Sequence, residues 1–337
     1  MTQEKKQNVL ITGGGGFLGK AIAKKLAATD GYTVKSFSRN YYPELESLGI
    51  QQIQGDISNK KDVENACMGI DLVFHVAAKT GVWGKYKDYY KTNVSGTKNI
   101  LTACKKHKIS RLVYTSSPSV VFDGSDSKGI DESALYPKSY HCHYSKTKAI
   151  AEQSVVKASG LDLKTIILRP HLIWGPEDTN LVPRIISRAK RLFIVGKGDN
   201  IVDTLYIDNA VHAHILAAEK LEKNPNLSGK IYFITQDEPV YLWDIINNIL
   251  KANSLKPVKK KMPIWLALPL GAFIEFAFHI LRIKKEPQIT RFVIKELATS
   301  HWFDISAAKR DLDYAPVISI KEGLRRLEMW FENEARY

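Results

Sequence analysis

Tyr144 and Lys148 stand four residues apart in HYSKTKAIAE, which puts both side chains on one face of a helix, one turn apart. A free phenol titrates near 10 and exchanges protons poorly at neutral pH. A neighbouring ammonium favours the phenolate and lowers that value, and the same lysine is placed to bond the ribose hydroxyls of a dinucleotide. A third hydroxyl comes from the serine-rich VYTSSPSV, where a parallel strand would end and where ligands of such sheets collect. Together these groups suit proton transfer at an alcohol or carbonyl oxygen. The Tyr-x-x-x-Lys spacing also arises by chance as an exposed helix pair, so its weight depends on what accompanies it.

What accompanies it is NVLITGGGGFLGKAIAKKL, in which Gly13, Gly16 and Gly19 fall at three-residue spacing between a strand and a helix. Gly13 permits a tight turn, Gly16 lets backbone approach a pyrophosphate, and Gly19 allows close packing of helix on strand. The helix start offers free N–H groups and a positive dipole end to the phosphates. An acidic residue at the end of the second strand would bond the ribose 2′-OH of NAD, but that strand ends KSFSRN, with Ser38 and Arg39. A guanidinium and a hydroxyl suit a 2′-phosphate, which favours NADP(H) over NAD(H). In QGDIS, Asp56 follows the third strand, where a carboxylate could accept from the adenine amino group.

These groups need a scaffold, and strand-length apolar runs supply one by alternating with helical stretches: NVLIT, TVKSFS, DLVFHVAA, RLVYTSS and KTIILRP against GKAIAKKLAA, DVENACMG, TKNILTACKKH and KAIAEQSVVKAS. The pattern predicts an α/β fold, a Rossmann-type doubly wound parallel sheet. Beyond Arg169 the rhythm loosens at GPED, GKGDN and NPNLSGK. The expected division is an NADP-binding domain over 1–170 with late elements from about 201–235, and a smaller, interleaved C-terminal substrate lobe over 171–200 and 236–337.

The 337 residues are 44% hydrophobic and 25% charged, as in a folded globular protein. Cys67, Cys104 and Cys142 form neither a disulfide framework nor a CxxC pattern, and MTQEKKQ carries no apolar signal core, so a cytoplasmic location is expected. No metal site is expected. His212 and His214 lie two apart and do not share a helix face, and His141 and His143 read as packing or surface residues. HExxH and GxSxG are absent. The net charge of +14 comes without a nucleic-acid-binding motif, so no nucleic-acid partner is expected.

Basic clusters KPVKKK and RIKK flank PIWLALPLGAFIEFAFHILRI, residues 263–283. Ile264 to Leu281 is at the lower length limit for a membrane span. Its ten Ile, Leu and Phe residues are worth roughly −3 to −6 kcal/mol on the insertion scale, which Glu275 (about +3), Pro269, Gly271 and His279 largely cancel. On a continuous helix Glu275, His279, Arg282 and Glu286 would form one polar stripe. The segment therefore reads as a helix lying at a membrane interface or lining an apolar cleft.

TGGGGFLG, GDIS, VFHVAAKTG, NVSGTKNIL, YTSSPSV, YSKTK and LRPHLIWGPED follow one another in the order of the extended short-chain dehydrogenase/reductase family, and nearly the whole chain resembles it. AAKTGVWGKYKDYYKTNVSGT, RPHLIWGPEDTNLVPR, NIVDTLYIDNAVHAHILA and ELATSHWFDISAAKRDLDY are most similar to its branch of 3β-hydroxysteroid and sterol-4-carboxylate dehydrogenases. The resemblance implies hydride transfer between nicotinamide and the 3-position of a lipidic 3-oxo or 3-hydroxy acid, foremost NADPH-dependent reduction of a long-chain 2-alkyl-3-oxoalkanoate. It makes Tyr144 the acid that protonates the substrate oxygen and Lys148 the residue that tunes it. Ser117, the last serine before Pro118, becomes the partner of that oxygen, with Ser116 one residue of register away.

It also implies a cofactor path along Gly13, Gly16, Phe17, Leu18 and Gly19, then Ser38, Arg39, Asp56 and Ile57. The path continues over Ala77, Ala78, Lys79 and Asn93 to Ser116, Tyr144 and Lys148, with Pro170 and His171 beside the carboxamide. Trp83, Ser119 and Trp174 are implied on the substrate side, although tryptophans are more often core. A homodimer through the helices carrying NVSGTKNIL and YSKTKAIAE and a peripheral membrane contact at the inner face are further expectations. Three other readings stay open: a 3β-hydroxysteroid/sterol dehydrogenase, a nucleotide-sugar epimerase or dehydratase, and a non-catalytic NADP-binding regulator. A sugar site would need polar lining where this chain has Leu266, Leu268, Phe273, Phe276 and Phe278, and a regulator normally goes with a broken Tyr-Lys pair.

Overall fold

A computed structural model describes residues 6–334. Seven parallel strands form the central sheet: β1 (Gln7–Thr12), β2 (Tyr32–Ser38), β3 (Gln51–Gln54), β4 (Leu72–His75), β5 (Arg111–Thr115), β6 (Lys164–Pro170) and β7 (Lys230–Ile234). Their order is β7-β6-β5-β4-β1-β2-β3. Every position of β4 and β5 is buried, as expected of parallel strands covered on both faces. The period of two sorts β1 between two cores. Val9 and Ile11 meet Ile22 and Leu26 of helix α1 (Phe17–Ala27), while Leu10 joins Val73, Ile100 and Ile167 on the other face. Full burial of a side chain such as Ile22 is worth roughly 1.5–3 kcal/mol, and Ile22→Ala would cost about 2–5 kcal/mol with its cavity.

The chain order reverses between β1 and β4, and the crevice at such a switch point is where doubly wound sheets hold ligands. Around it stand α1, α2 (Gly96–Lys106), α3 (His143–Ala158), α4 (Leu181–Arg188) and α5 (Ile207–Lys223). A smaller four-stranded sheet joins Val240–Tyr241, Ile201–Val202, His301–Phe303 and Ser127–Ile130 in that order. It draws residues from both sides of β7 in the chain. The remaining helices used below are α6 (Leu242–Ala252), α7 (Ile264–Ile280) and α8 (Arg291–Ala298).

Helix α7 is the apolar segment, and its polar stripe is shorter than a continuous helix would make it. Leu281 caps the helix and Arg282 turns left-handed at φ 51°, so Arg282 and Glu286 lie beyond it. Glu286 pairs instead with Arg184 and Arg188, each at 3.1 Å. Glu275 accepts from the backbone N–H and Nε of Arg291, both at 2.7 Å, fastening α7 to α8. Ala267 and Gly271 form the buried edge of α7, and a Cβ on Gly271 would lie 2.6 Å from Ile294 Cδ1. Leu266, Phe273 and Phe276 are exposed rather than turned inward, whereas Leu268 and Phe278 are partly buried. Among the described residues, no helix is long and apolar enough to cross a membrane.

Candidate active site

The glycine turn is shaped for close approach. Gly13 has φ 72°, and a Cβ there would lie 2.9 Å from Ala77 Cα; a Cβ on Gly19 would lie 2.2 Å from the Gly13 carbonyl oxygen. No side chain caps the start of α1, leaving the dipole end at Gly16, Phe17 and Leu18 for an anion. Two glycines without an assigned role are equally constrained: a Cβ on Gly14 would sit 2.3 Å from Ser36 Oγ, and one on Gly15 only 1.8 Å from the Tyr42 ring. The uninterrupted GGGG was the available signal for them. Ser36 Oγ is buried without a partner.

Arg39 is exposed just past β2 and forms no ion pair among the described residues. Beside it Ser38 Oγ donates to the Asn40 carbonyl at 3.0 Å. After β3, Asp56 accepts from the N–H and hydroxyl of Ser58 at 2.9 and 2.8 Å and pairs with Lys91 at 3.2 Å. Partial burial pushes its pKa up, but these donors prevail and hold it below the usual value. Ile57 is buried against Gly96. Behind the turn, Thr12 Oγ1 meets His75 Nδ1 at 2.8 Å and accepts from Ala77 N–H at 3.1 Å, while His75 Nε2 meets Thr97 Oγ1 at 2.9 Å. This buried network pins the end of β4 against that of β1.

Asn93 Oδ1 accepts from Lys79 N–H at 2.7 Å, and its Nδ2 donates to Lys79 O at 3.1 Å and Thr147 Oγ1 at 3.0 Å. These bonds hold the loop at Lys79 against α3. Trp174 is a correction to the substrate side. Wholly buried, it packs edge-on to Tyr206 with ring centroids 5.2 Å apart, in the core. Trp83, only partly buried, donates to the Ile283 carbonyl at 3.2 Å and meets Phe278 edge-on at 6.1 Å, linking the loop after β4 to the end of α7.

The three candidate catalytic residues, Ser117, Tyr144 and Lys148, gather where β5 and β6 end. Ser116 N–H donates to Leu168 O at 2.6 Å, and the buried Ser116 Oγ has no partner. The chain then turns through Ser117 and Pro118, with Ser117 Oγ donating to Ser119 Oγ at 3.0 Å. Helix α3 opens one residue before Tyr144. Burial raises the Tyr144 phenol to about 12, and a hydrogen bond with Ser117 only partly offsets this. Tyr144 is therefore a neutral phenol at physiological pH.

Lys148 departs from the sequence expectation. Its ammonium donates to Tyr114 OH at 2.7 Å and Thr115 O at 2.6 Å, and lies over the Tyr114 ring at 4.2 Å; it is not among the groups that shift Tyr144. The shared helix face is there, but the lysine stem reaches across to β5. Burial lowers Lys148 to about 7, opposed by the Glu152 carboxylate one turn on. Glu152 is itself buried, receiving both Arg169 Nη2 at 2.6 Å and Nε at 3.1 Å, and Tyr136 OH at 2.6 Å. Tyr114 was missed although it stands in YTSS; its alternation into the sheet's interior was the signal. At the end of β6, Pro170 is buried, and the His171 ring packs on His301 and Phe303 with centroids 5.0 Å away in each case.

Comparison with known proteins agrees with this geometry. The pattern of the 3-beta hydroxysteroid dehydrogenase/isomerase family matches residues 10–264. A 2-alkyl-3-oxoalkanoate reductase of Shewanella oneidensis is 48% identical over 96% of this chain and 86% of its own length. One of Stenotrophomonas maltophilia is 45% identical over 95% of this chain and 98% of its own. The solved UDP-glucuronic acid 4-epimerase of Bacillus cereus in complex with NAD superposes with a TM-score of 0.75 at 24% identity, over 97% of this chain and 99% of its own, a likeness of fold. The glycine turn that admits a dinucleotide, the phenol kept protonated at the strand ends and these relatives agree: this chain belongs to the 3-beta hydroxysteroid dehydrogenase/isomerase family and is an NAD(P)-dependent oxidoreductase of the short-chain dehydrogenase/reductase type.

Proposed function

We propose that this protein uses NADPH to reduce the 3-oxo group of a long-chain 2-alkyl-3-oxoalkanoate. The observation that carries the reading is Tyr144, whose buried phenol is hydrogen-bonded with Ser117 and is placed to give a proton to a substrate oxygen. Bound NADPH supplies the hydride to the carbonyl carbon. Tyr144 gives its proton to the carbonyl oxygen, Ser117 hydrogen-bonds that oxygen as charge develops, and the product is the 3-hydroxy acid. Lys148 in its charged form is available to bond ribose hydroxyls once it leaves Tyr114. Arg39, unpaired at the end of β2, supports the 2′-phosphate. The names of the two bacterial relatives support the substrate, and the partly buried Trp83, Leu268 and Phe278 suit alkyl chains. The family's hydroxysteroid members make a 3-oxosteroid the second reading.

The test is NADPH oxidation with a long-chain 2-alkyl-3-oxo acid, a 3-oxosteroid and a nucleotide sugar. The acid should turn over fastest. Tyr144→Phe should lose at least 100-fold in turnover while still binding NADPH, and unimpaired turnover in that variant overturns the assignment.

A peripheral membrane contact is part of the same proposal. On α7, Trp265 is 70% exposed, Phe273 68% and Phe276 62%, and Lys256, Lys259, Lys260, Lys261, Arg282, Lys284 and Lys285 stand exposed at its two ends. That arrangement suits the surface of an anionic bilayer. The protein should float with phosphatidylglycerol vesicles and be released by high salt, and Phe273→Glu with Phe276→Glu should abolish flotation. Wild-type protein that stays in solution refutes the contact. A homodimer through α2 and α3 completes the proposal, with the mass in solution as its check.

A further inference from the structure

We propose that His171, Glu296 and His301 form a binding site for one borderline-soft divalent cation, of which Zn2+ is the type. The three come from the end of β6, from α8 and from the short strand that follows α8. One donor atom from each lies within 4.8 Å of the other two.

What singles the cluster out is that its donors are left without partners. His171 Nδ1 and His301 Nδ1 are both buried with no hydrogen bond, in side chains that are 7% and 3% exposed. An orphaned polar atom in the interior is costly, and this cluster holds two. His301 Nε2 lies 2.9 Å from the Glu296 carbonyl. A carbonyl only accepts, so Nε2 carries the proton and Nδ1 presents its lone pair, the second-shell arrangement that orients metal-binding imidazoles. The Glu296 carboxylate has no hydrogen-bonding donor among the described residues, and His301 Nε2 lies 3.8 Å from it.

Two imidazole nitrogens and one carboxylate oxygen make a donor set for a cation. Nitrogen donors select against Mg2+ and Ca2+ and suit Zn2+ or Co2+. Tetrahedral ligands at about 2.0–2.1 Å stand roughly 3.3 Å apart, so closing the set asks for a movement of about 1.5 Å. Glu296 is free to make it, since its side chain is 24% exposed, which also gives an ion its way in. Bound there, the ion would tie α8 and the strand His301–Phe303 to the end of β6, with a water in the fourth position.

The full-length protein, stripped with a chelator and desalted, should take up one Zn2+ per chain and unfold at a higher temperature. Co2+ should give the intense visible bands of a tetrahedral site. His301→Gln and Glu296→Gln should each weaken Zn2+ binding at least tenfold, whereas Cys142→Ser should leave it unchanged. No Zn2+ retained by the wild type, equal retention by the two ligand variants, or an octahedral Co2+ spectrum overturns the proposal. The Co2+ spectrum is read on the wild type, so the idea is exposed to refutation even where a variant fails to fold. None of these readouts depends on the reductase reading.

Discussion

Lys148 is where the site works against the fold. Burial draws its pKa from 10.5 to about 7, and a lysine that holds its proton so much more weakly in the folded chain destabilises that chain by about 5 kcal/mol when charged. The penalty is complete below the folded value of about 7, where folded and unfolded chains both carry the proton. Between there and the unfolded value of 10.5 the unfolded chain binds more protons, so stability rises with pH until the penalty disappears. Lys148→Met keeps an apolar stem and deletes the charge. At pH 7 it should stabilise the protein by roughly 2–4 kcal/mol, the lost hydrogen bonds to Tyr114 and Thr115 absorbing the remainder. For a chain of this length that is a rise of roughly 3–6 °C in Tm.

Calorimetric unfolding of both proteins at pH 7 and pH 10, with NADPH-dependent turnover measured beside it, reads the whole argument. The variant should be more stable at pH 7, lose that advantage by pH 10, where the remaining charge penalty of about 1 kcal/mol no longer exceeds the lost hydrogen bonds, and be nearly inactive. A variant less stable than wild type at pH 7, or a difference that does not move between the two pH values, refutes the buried-charge reasoning.

Arg39→Asp should raise the KM for NADPH at least tenfold and leave that for NADH within about threefold, because only the 2′-phosphate loses its cation; equal losses would remove Arg39 from the phosphate site. Gly19→Ala should cost roughly 1–3 kcal/mol in urea unfolding and weaken NADPH binding together with it, since its Cβ would meet the Gly13 carbonyl oxygen at 2.2 Å. Unchanged stability would show that α1 has room the geometry denies it.

Much of this was legible in the chain because it is local. Strand, glycine turn and helix at 7–27 follow from apolar runs and the φ that only glycine adopts easily, and Tyr144 and Lys148 share a face because helices repeat every 3.6 residues. Five core strands stand out as apolar runs. β3, QQIQ, is polar and was placed only by the order of neighbours, and β7 follows a long excursion of the chain. Trp174 looked like a loop aromatic, but a distant partner, Tyr206, packs over it. The stripe on α7 broke because the helix stops at Leu281.

By itself, then, the sequence determined the sheet class, the glycine turn and the helix face that Tyr144 and Lys148 share, each encoded within one or two turns of backbone. Only the tertiary structure decided where the Lys148 ammonium points, that burial lifts the Tyr144 phenol above its free value, and that His171 meets Glu296 and His301. Those outcomes depend on desolvation and on side chains brought together from far along the chain, and no local spacing records either.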